Sequence, residues 1–215
     1  KKLIAEAKDL GALISVNHPK CRFCPYTWDN FDCFDMMEIW NGPMRPSNVE
    51  AIRLWTNFLK QGRRIPIVGG SDYHRPHSLA HLGNPVTAVY TPSRKAEDIL
   101  ASLRKGHSFV TSSVDGVKLK TEYGEAVTGD ETLYSPCEKL KITAENMKMT
   151  SLILVTDKYE KKLCGPSKGK ATLTEALNSD VAFAYIKAVR GIGKASSVCA
   201  VTNPIYFKNN KEELN

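Results

Sequence analysis

No apolar run in this 215-residue chain approaches the roughly 18 residues a membrane helix needs, so a helical span is excluded. A basic stripe interleaved with aromatics, the mark of a nucleic-acid reader, is also missing. The net charge of +7 is dispersed: residues 1–110 hold 15 Lys+Arg against 10 Asp+Glu, and the remainder 15 against 13. No specific nucleic-acid partner is expected, and the mild excess in the first half suits a phosphorylated substrate. The six cysteines are too few and too irregular for a disulfide scaffold. Cys137, Cys164 and Cys199 sit among small and apolar neighbours and read as core or near-core thiols, which favours a reducing, cytoplasmic compartment. There is no initiator Met, no secretory leader is visible, and the helix-like start at Lys1 leaves room for a missing N-terminal segment. Internal repeats and low-complexity segments are lacking, and no histidine follows His107.

What is present divides near Thr111–Gly116. Residues 1–111 alternate short apolar runs with helical patterns. Leu3, Ile4, Ala7 and Leu10 share one helical face, closed by Gly11. Apolar runs follow at 12–16, 36–40, 65–68 and 85–90. Ser47 with Glu50 offers a capping box for a helix whose stripe is Val49, Ile52, Trp55, Phe58 and Leu59, ending at Gly62. A further helix covers about 93–105, with Ile99, Leu100 and Leu103 inside. This pattern predicts a parallel α/β sheet of four strands with helices outside. Residues 112–215 turn to period two, with strands at 139–142, 151–155, 181–185, 197–201 and 205–207, and predict an antiparallel β-sandwich.

The chemistry-bearing residues gather after the apolar runs of the first part. His18 follows 12–16, Glu38 and Asn41 close 36–40, and Asp72 and His74 follow 65–68. In a parallel sheet the C-terminal strand ends share one face, so residues about 50 apart in sequence can converge. Imidazole and carboxylate suit zinc, manganese and iron, and Asp-x-His in an extended segment points both side chains to one side. Glu38 in an apolar strand needs a partner, and Arg45 is one choice. The alternatives are a structural His18 beside Pro19 and an Asp72 that caps its own turn. Cys21-x-x-Cys24, with His18 before it and Cys33 after it, reads either as free thiols in a loop over the site or as a zinc knuckle. Arg75, His77 and His81 are solvated loop residues or contacts for an anionic substrate, and His107 reads as structural.

Ser15-Val16-Asn17-His18-Pro19, Glu38-Ile39-Trp40-Asn41-Gly42 and Gly69-Gly70-Ser71-Asp72-Tyr73-His74, in this order, resemble the later motifs of the polymerase-and-histidinol-phosphatase (PHP) family. The segments 82–87, 104–111 and 200–206 extend the likeness. The resemblance implies the C-terminal part of a PHP-type (β/α) barrel with an appended β domain, and up to three divalent metal ions (Zn, Mn or Fe) in the intact family site. It implies His18, Asp72 and His74 as metal ligands, with Glu38, Asn41 and Arg75 supporting them or facing substrate. The family's His-x-His motif belongs to an N-terminal half, whereas the first histidine here is His18. The function implied is a metal-dependent hydrolase, a phosphoesterase using metal-activated water. The alternatives are a carboxylic ester, carbamate or amide hydrolase of the same fold, or a non-catalytic binding module. The expected partner is a phosphorylated or ester small molecule, with a homo-oligomer or a missing N-terminal segment completing the fold.

Overall fold

The computed structural model describes residues 2–24, 26–27, 31–76, 80–191, 193 and 196–208. Three strands, β1 (Ser15–Val16), β2 (Met36–Asn41) and β3 (Ile67–Gly70), form a parallel sheet in the order β1-β2-β3. Among the described residues three α-helices accompany the strands: α1 (Lys2–Asp9), α2 (Pro46–Lys60) and α3 (Ala96–Lys105). None of the helices is long and apolar enough to cross a membrane.

The other strands join one ten-stranded sheet that is almost wholly antiparallel. Its members are β4 (Val86–Val89), β5 (Ser108–Thr111), β6 (Lys118–Tyr123), β7 (Ala126–Val127), β8 (Glu131–Leu133), β9 (Leu140–Thr156), β10 (Glu160–Glu175), β11 (Phe183–Arg190), β12 (Ser197–Thr202) and β13 (Ile205–Lys208). The principal path runs β4-β5-β12-β11-β9-β6-β7.

Two expectations are corrected here. The run at 85–90 is not a fourth parallel strand: β4 pairs antiparallel with β5, and β5 pairs with β12. The ladder therefore crosses the boundary expected at residue 111. β4 still lies beside β3, held by one side chain: Gly69 N–H donates to Thr87 Oγ1 at 2.8 Å, and the Thr87 hydroxyl returns to Gly69 O at 2.9 Å. The second correction concerns the sandwich. The two apolar segments at 139–142 and 151–155 belong to one long strand, β9. Its first half pairs with β6 and its second with β11. Between them Asn146 (φ 59°) and Met149 (φ 51°) take left-handed backbone, and the strand turns a corner. A single sheet so bent folds over its own core, and β6 packs across that core against β11, β12 and β13.

The core follows from period two. Along β11, Ala184, Ile186 and Ala188 face the interior of the folded sheet, with Leu152, Leu154, Leu119 and Ile142. Phe183 and Tyr185 face the opposite way, and with Val110, Val155 and Val201 they pack on a second cluster built from β2, β3 and α2. The central strands are buried on both sides. α2 keeps nearly all of its predicted stripe: Ile52, Trp55, Phe58 and Leu59 are buried. Its predicted capping box is not formed. Arg45 is the N-cap, without a side-chain cap bond, and Pro46 opens the helix, where its missing N–H costs nothing. In α1 no residue is buried, and Leu3 and Leu10 are exposed. Cys137 is exposed, so it is not a core thiol.

Two buried amides lock the parts together. Asn203 accepts from Ile67 N–H at 2.9 Å and donates to Ser108 O and Oγ at 3.1 and 3.0 Å, tying β3 to β5. Asn48 accepts from Asn41 N–H and donates to the carbonyls of Asn41 and Pro43, fixing the exit of β2 against α2. β3 approaches β5 so closely that a Cβ at Gly69 would lie 2.5 Å from Val110 Cγ1 and 3.0 Å from Trp40 O. Gly69→Ala is therefore expected to lower stability by about 1–3 kcal/mol, as overpacking does. Adding Val110→Ala should restore part of the loss, since the Trp40 carbonyl cannot retreat. An unchanged urea midpoint for Gly69→Ala would disprove the close approach.

Candidate metal centre

Because β1, β2 and β3 run parallel, their C-terminal ends open on one edge. His18 lies two residues beyond β1, Glu38 sits within β2, and Asp72 lies two residues beyond β3. The Glu38 carboxylate links two of these elements. It accepts the His18 backbone N–H at 2.7 Å and Asn41 Nδ2 at 3.3 Å on each oxygen. Its partners are thus a backbone amide and a neutral amide; among the described residues it pairs with no arginine, and Arg45 is exposed. Burial raises the Glu38 pKa above the ordinary carboxylate value, the hydrogen bonds from His18 and Asn41 oppose that rise, and the charge of Asp72 adds to it. The carboxylate lies against the end of β3: a Cβ at Gly70 would stand 3.5 Å from Glu38 Oε1, an ordinary contact.

Asp72 adjoins the exit of β2. Gly42 N–H donates to Gly70 O at 2.9 Å, and a Cβ on Gly42 would lie 3.8 Å from Asp72 Cβ. Asp72 has φ 52° and His18 φ 32°, both in the left-handed region. Such backbone costs on the order of 1 kcal/mol or more per non-glycine residue and is concentrated at functional sites. His74 Nε2 lies 2.9 Å from Asp72 Oδ1, and both side chains are well exposed.

The loop after β1 brings two thiols to His18. Cys21 N–H donates to His18 O at 2.9 Å, closing a turn. Cys24 Sγ stands 3.6 Å from His18 Nδ1 and donates to Cys21 Sγ at 2.9 Å. That bond lowers the Cys21 pKa and raises that of Cys24, because the pair shares a proton. One ligand atom from each of the three residues falls within 4.8 Å of the others, so a His/Cys group able to hold a metal ion exists here. Cys33 is half-buried and outside this group.

The sequence alone favours free thiols in this loop over a zinc knuckle. The signal for the group was the His-x-x-Cys-x-x-Cys spacing itself. Arg75 is exposed beside His74, His81 forms an isolated bridge with Asn84, and His77 lies outside the described residues. His107 Nε2 pairs with Asp130 at 2.7 Å, and Asp130 also accepts Val127 N–H, a structural tie between α3 and β7. A cavity of about 580 Å³ lies elsewhere. Val86, Ala88, Tyr90, Phe109 and Leu119 line it, and none of the metal-edge residues does.

No curated protein and no solved structure matches this chain. A family model does. The family described as PHP-associated matches residues 57–108, from the end of α2 to the first residue of β5. The match takes in β3, Asp72 and His74 but stops short of His18 and Glu38. Over residues 57–108 the chain is therefore similar to the C-terminal region of PHP-family proteins.

Proposed function

We propose that this chain is the C-terminal portion of a metal-dependent hydrolase of PHP type, acting as a phosphoesterase on a phosphorylated small molecule. The observation that carries the reading is the gathering of His18, Glu38 and Asp72 at the C-terminal edge of three neighbouring parallel strands, with His74 beside Asp72. The donor types suit a divalent ion, since His18 and His74 offer imidazole and Asp72 a carboxylate. Among the described residues, however, His18 groups within 4.8 Å with Cys21 and Cys24 rather than with Asp72 and His74, so those two would have to close on it when an ion binds. Bound ions would supply a hydroxide near neutral pH and offset the charge that develops on phosphoryl oxygens. The chain's own groups do the positioning. Glu38 holds the His18 backbone, Asn41 holds Glu38, and Arg75 is exposed next to His74, where it can meet an anionic substrate. Three donors are fewer than a dinuclear or trinuclear centre needs, and further strands or a second copy would have to supply the rest.

The test is hydrolysis of a generic aryl phosphate, and of an aryl carboxylic ester, with added Mn²⁺ or Zn²⁺. Metal-stimulated phosphatase turnover is expected, higher in a chain extended upstream than in residues 1–215. His74→Ala should lower metal-stimulated turnover by roughly tenfold or more, since it removes a donor. Turnover indifferent to metal and to His74→Ala would overturn the proposal. Turnover of the carboxylic ester alone would move the chain to the acyl-hydrolase alternative.

A further inference from the structure

We propose that His18, Cys21 and Cys24 form a thiolate zinc site on the loop that leaves β1. The spacing His-x-x-Cys-x-x-Cys places three donors within one turn, and the Cys21 N–H to His18 O bond closes that turn at 2.9 Å. Zinc–sulfur bonds of about 2.3 Å and zinc–nitrogen bonds of about 2.0–2.1 Å give a tetrahedron whose N···S edge is about 3.6 Å and whose S···S edge is about 3.8 Å. The His18 Nδ1 to Cys24 Sγ separation is 3.6 Å. The two sulfurs, at 2.9 Å, must part by about 0.9 Å to reach that edge. Cys24 is exposed and Cys21 half-buried, so side-chain rotation can provide this without moving the backbone. Both thiols are free rather than joined in a disulfide.

Thiolate donors select the ion. Manganese favours oxygen ligands, whereas sulfur and imidazole together favour zinc. Three protein donors also leave one exchangeable position, as zinc sites open to substrate or water do. This site goes beyond the hydrolytic reading and shares only His18 with it.

The experiment uses the full chain, reduced and freed of metal under anaerobic conditions, titrated with Co²⁺ and then with Zn²⁺. The expected result is one thiolate-bound Co²⁺ per chain, read from a thiolate-to-cobalt charge-transfer band that Zn²⁺ bleaches stoichiometrically. Cys21→Ser and Cys24→Ser should each weaken zinc binding by roughly tenfold or more. The double variant should lose the band entirely, and His74→Ala should keep it. A reduced chain without the band, or a band that survives in the double variant, would overturn the site. Phosphatase turnover measured on the same samples separates the two readings. Turnover without the band removes the thiolate site and leaves the hydrolase. The band without turnover removes the hydrolase and leaves the thiolate site.

Discussion

Trp55→Ala is expected to destabilise the fold by about 3–5 kcal/mol, the range for removing a large buried aromatic side chain. In a chain of this size that corresponds to roughly 10 °C in Tm. Trp55 is fully buried at the meeting point of three elements. It lies on α2, its indole N–H donates to Ile65 O at 2.8 Å just before β3, and its ring packs against Tyr185 of β11 at 4.9 Å. Tyr185 in turn bonds Thr56 on the next residue of α2 at 2.9 Å. Truncation opens a cavity between the parallel sheet and the antiparallel one and leaves a buried carbonyl without its donor. Trp55→Phe separates these effects: it retains most of the packing but not the N–H, and should cost only about 1–3 kcal/mol. Denaturant unfolding followed by circular dichroism measures both variants. If Trp55→Ala unfolds at the wild-type midpoint, this side chain does not join the two sheets.

The importance of Trp55 was legible in the sequence, because the stripe from Ile52 to Leu59 has helical spacing and its most apolar members turn inward. The fate of the run 85–90 was not. Val86, Ala88 and Val89 fit a parallel or an antiparallel strand equally well, and partner choice is a tertiary matter. Here Thr87 takes the β3 side with its hydroxyl while the backbone ladder goes to β5. β10 was missed for the opposite reason. Its sixteen residues are rich in lysine and glycine, include Pro166 and are largely exposed, so no apolar alternation marks them. Such a composition suits an edge strand, where charge discourages further pairing. The rule that parallel strand ends share an edge was enough to place His18, Glu38 and Asp72 along one edge of the sheet. What linear order could not reveal was that Glu38 grips the backbone of His18 rather than a cation, since that contact depends on the left-handed turn at His18 itself.

That contact carries the second large effect. On the hydrolase reading, Glu38→Ala should lower metal affinity by roughly 10–100-fold, the usual result of removing a group that orients a ligand. The carboxylate is a bidentate acceptor: one oxygen takes the His18 N–H, and both face Asn41 Nδ2. Without it the His18 amide loses its acceptor, and the turn closed by the Cys21 N–H on His18 O is left to hold the left-handed conformation, so the imidazole is less firmly aimed. Glu38→Gln is the informative comparison. Glutamine keeps one oxygen for the His18 N–H, but its own NH₂ then opposes the NH₂ of Asn41, and both cannot be satisfied. Its affinity should fall between Ala and wild type. Combining it with Asn41→Asp, which supplies an acceptor to the new donor, should recover part of the loss. Competition against a chromophoric chelator gives the affinities, and thermal melts of the metal-free chains check that the fold persists. Folded Glu38→Ala that binds metal as tightly as wild type would mean that the carboxylate supports β2 and the loop after β1 without positioning His18 for an ion.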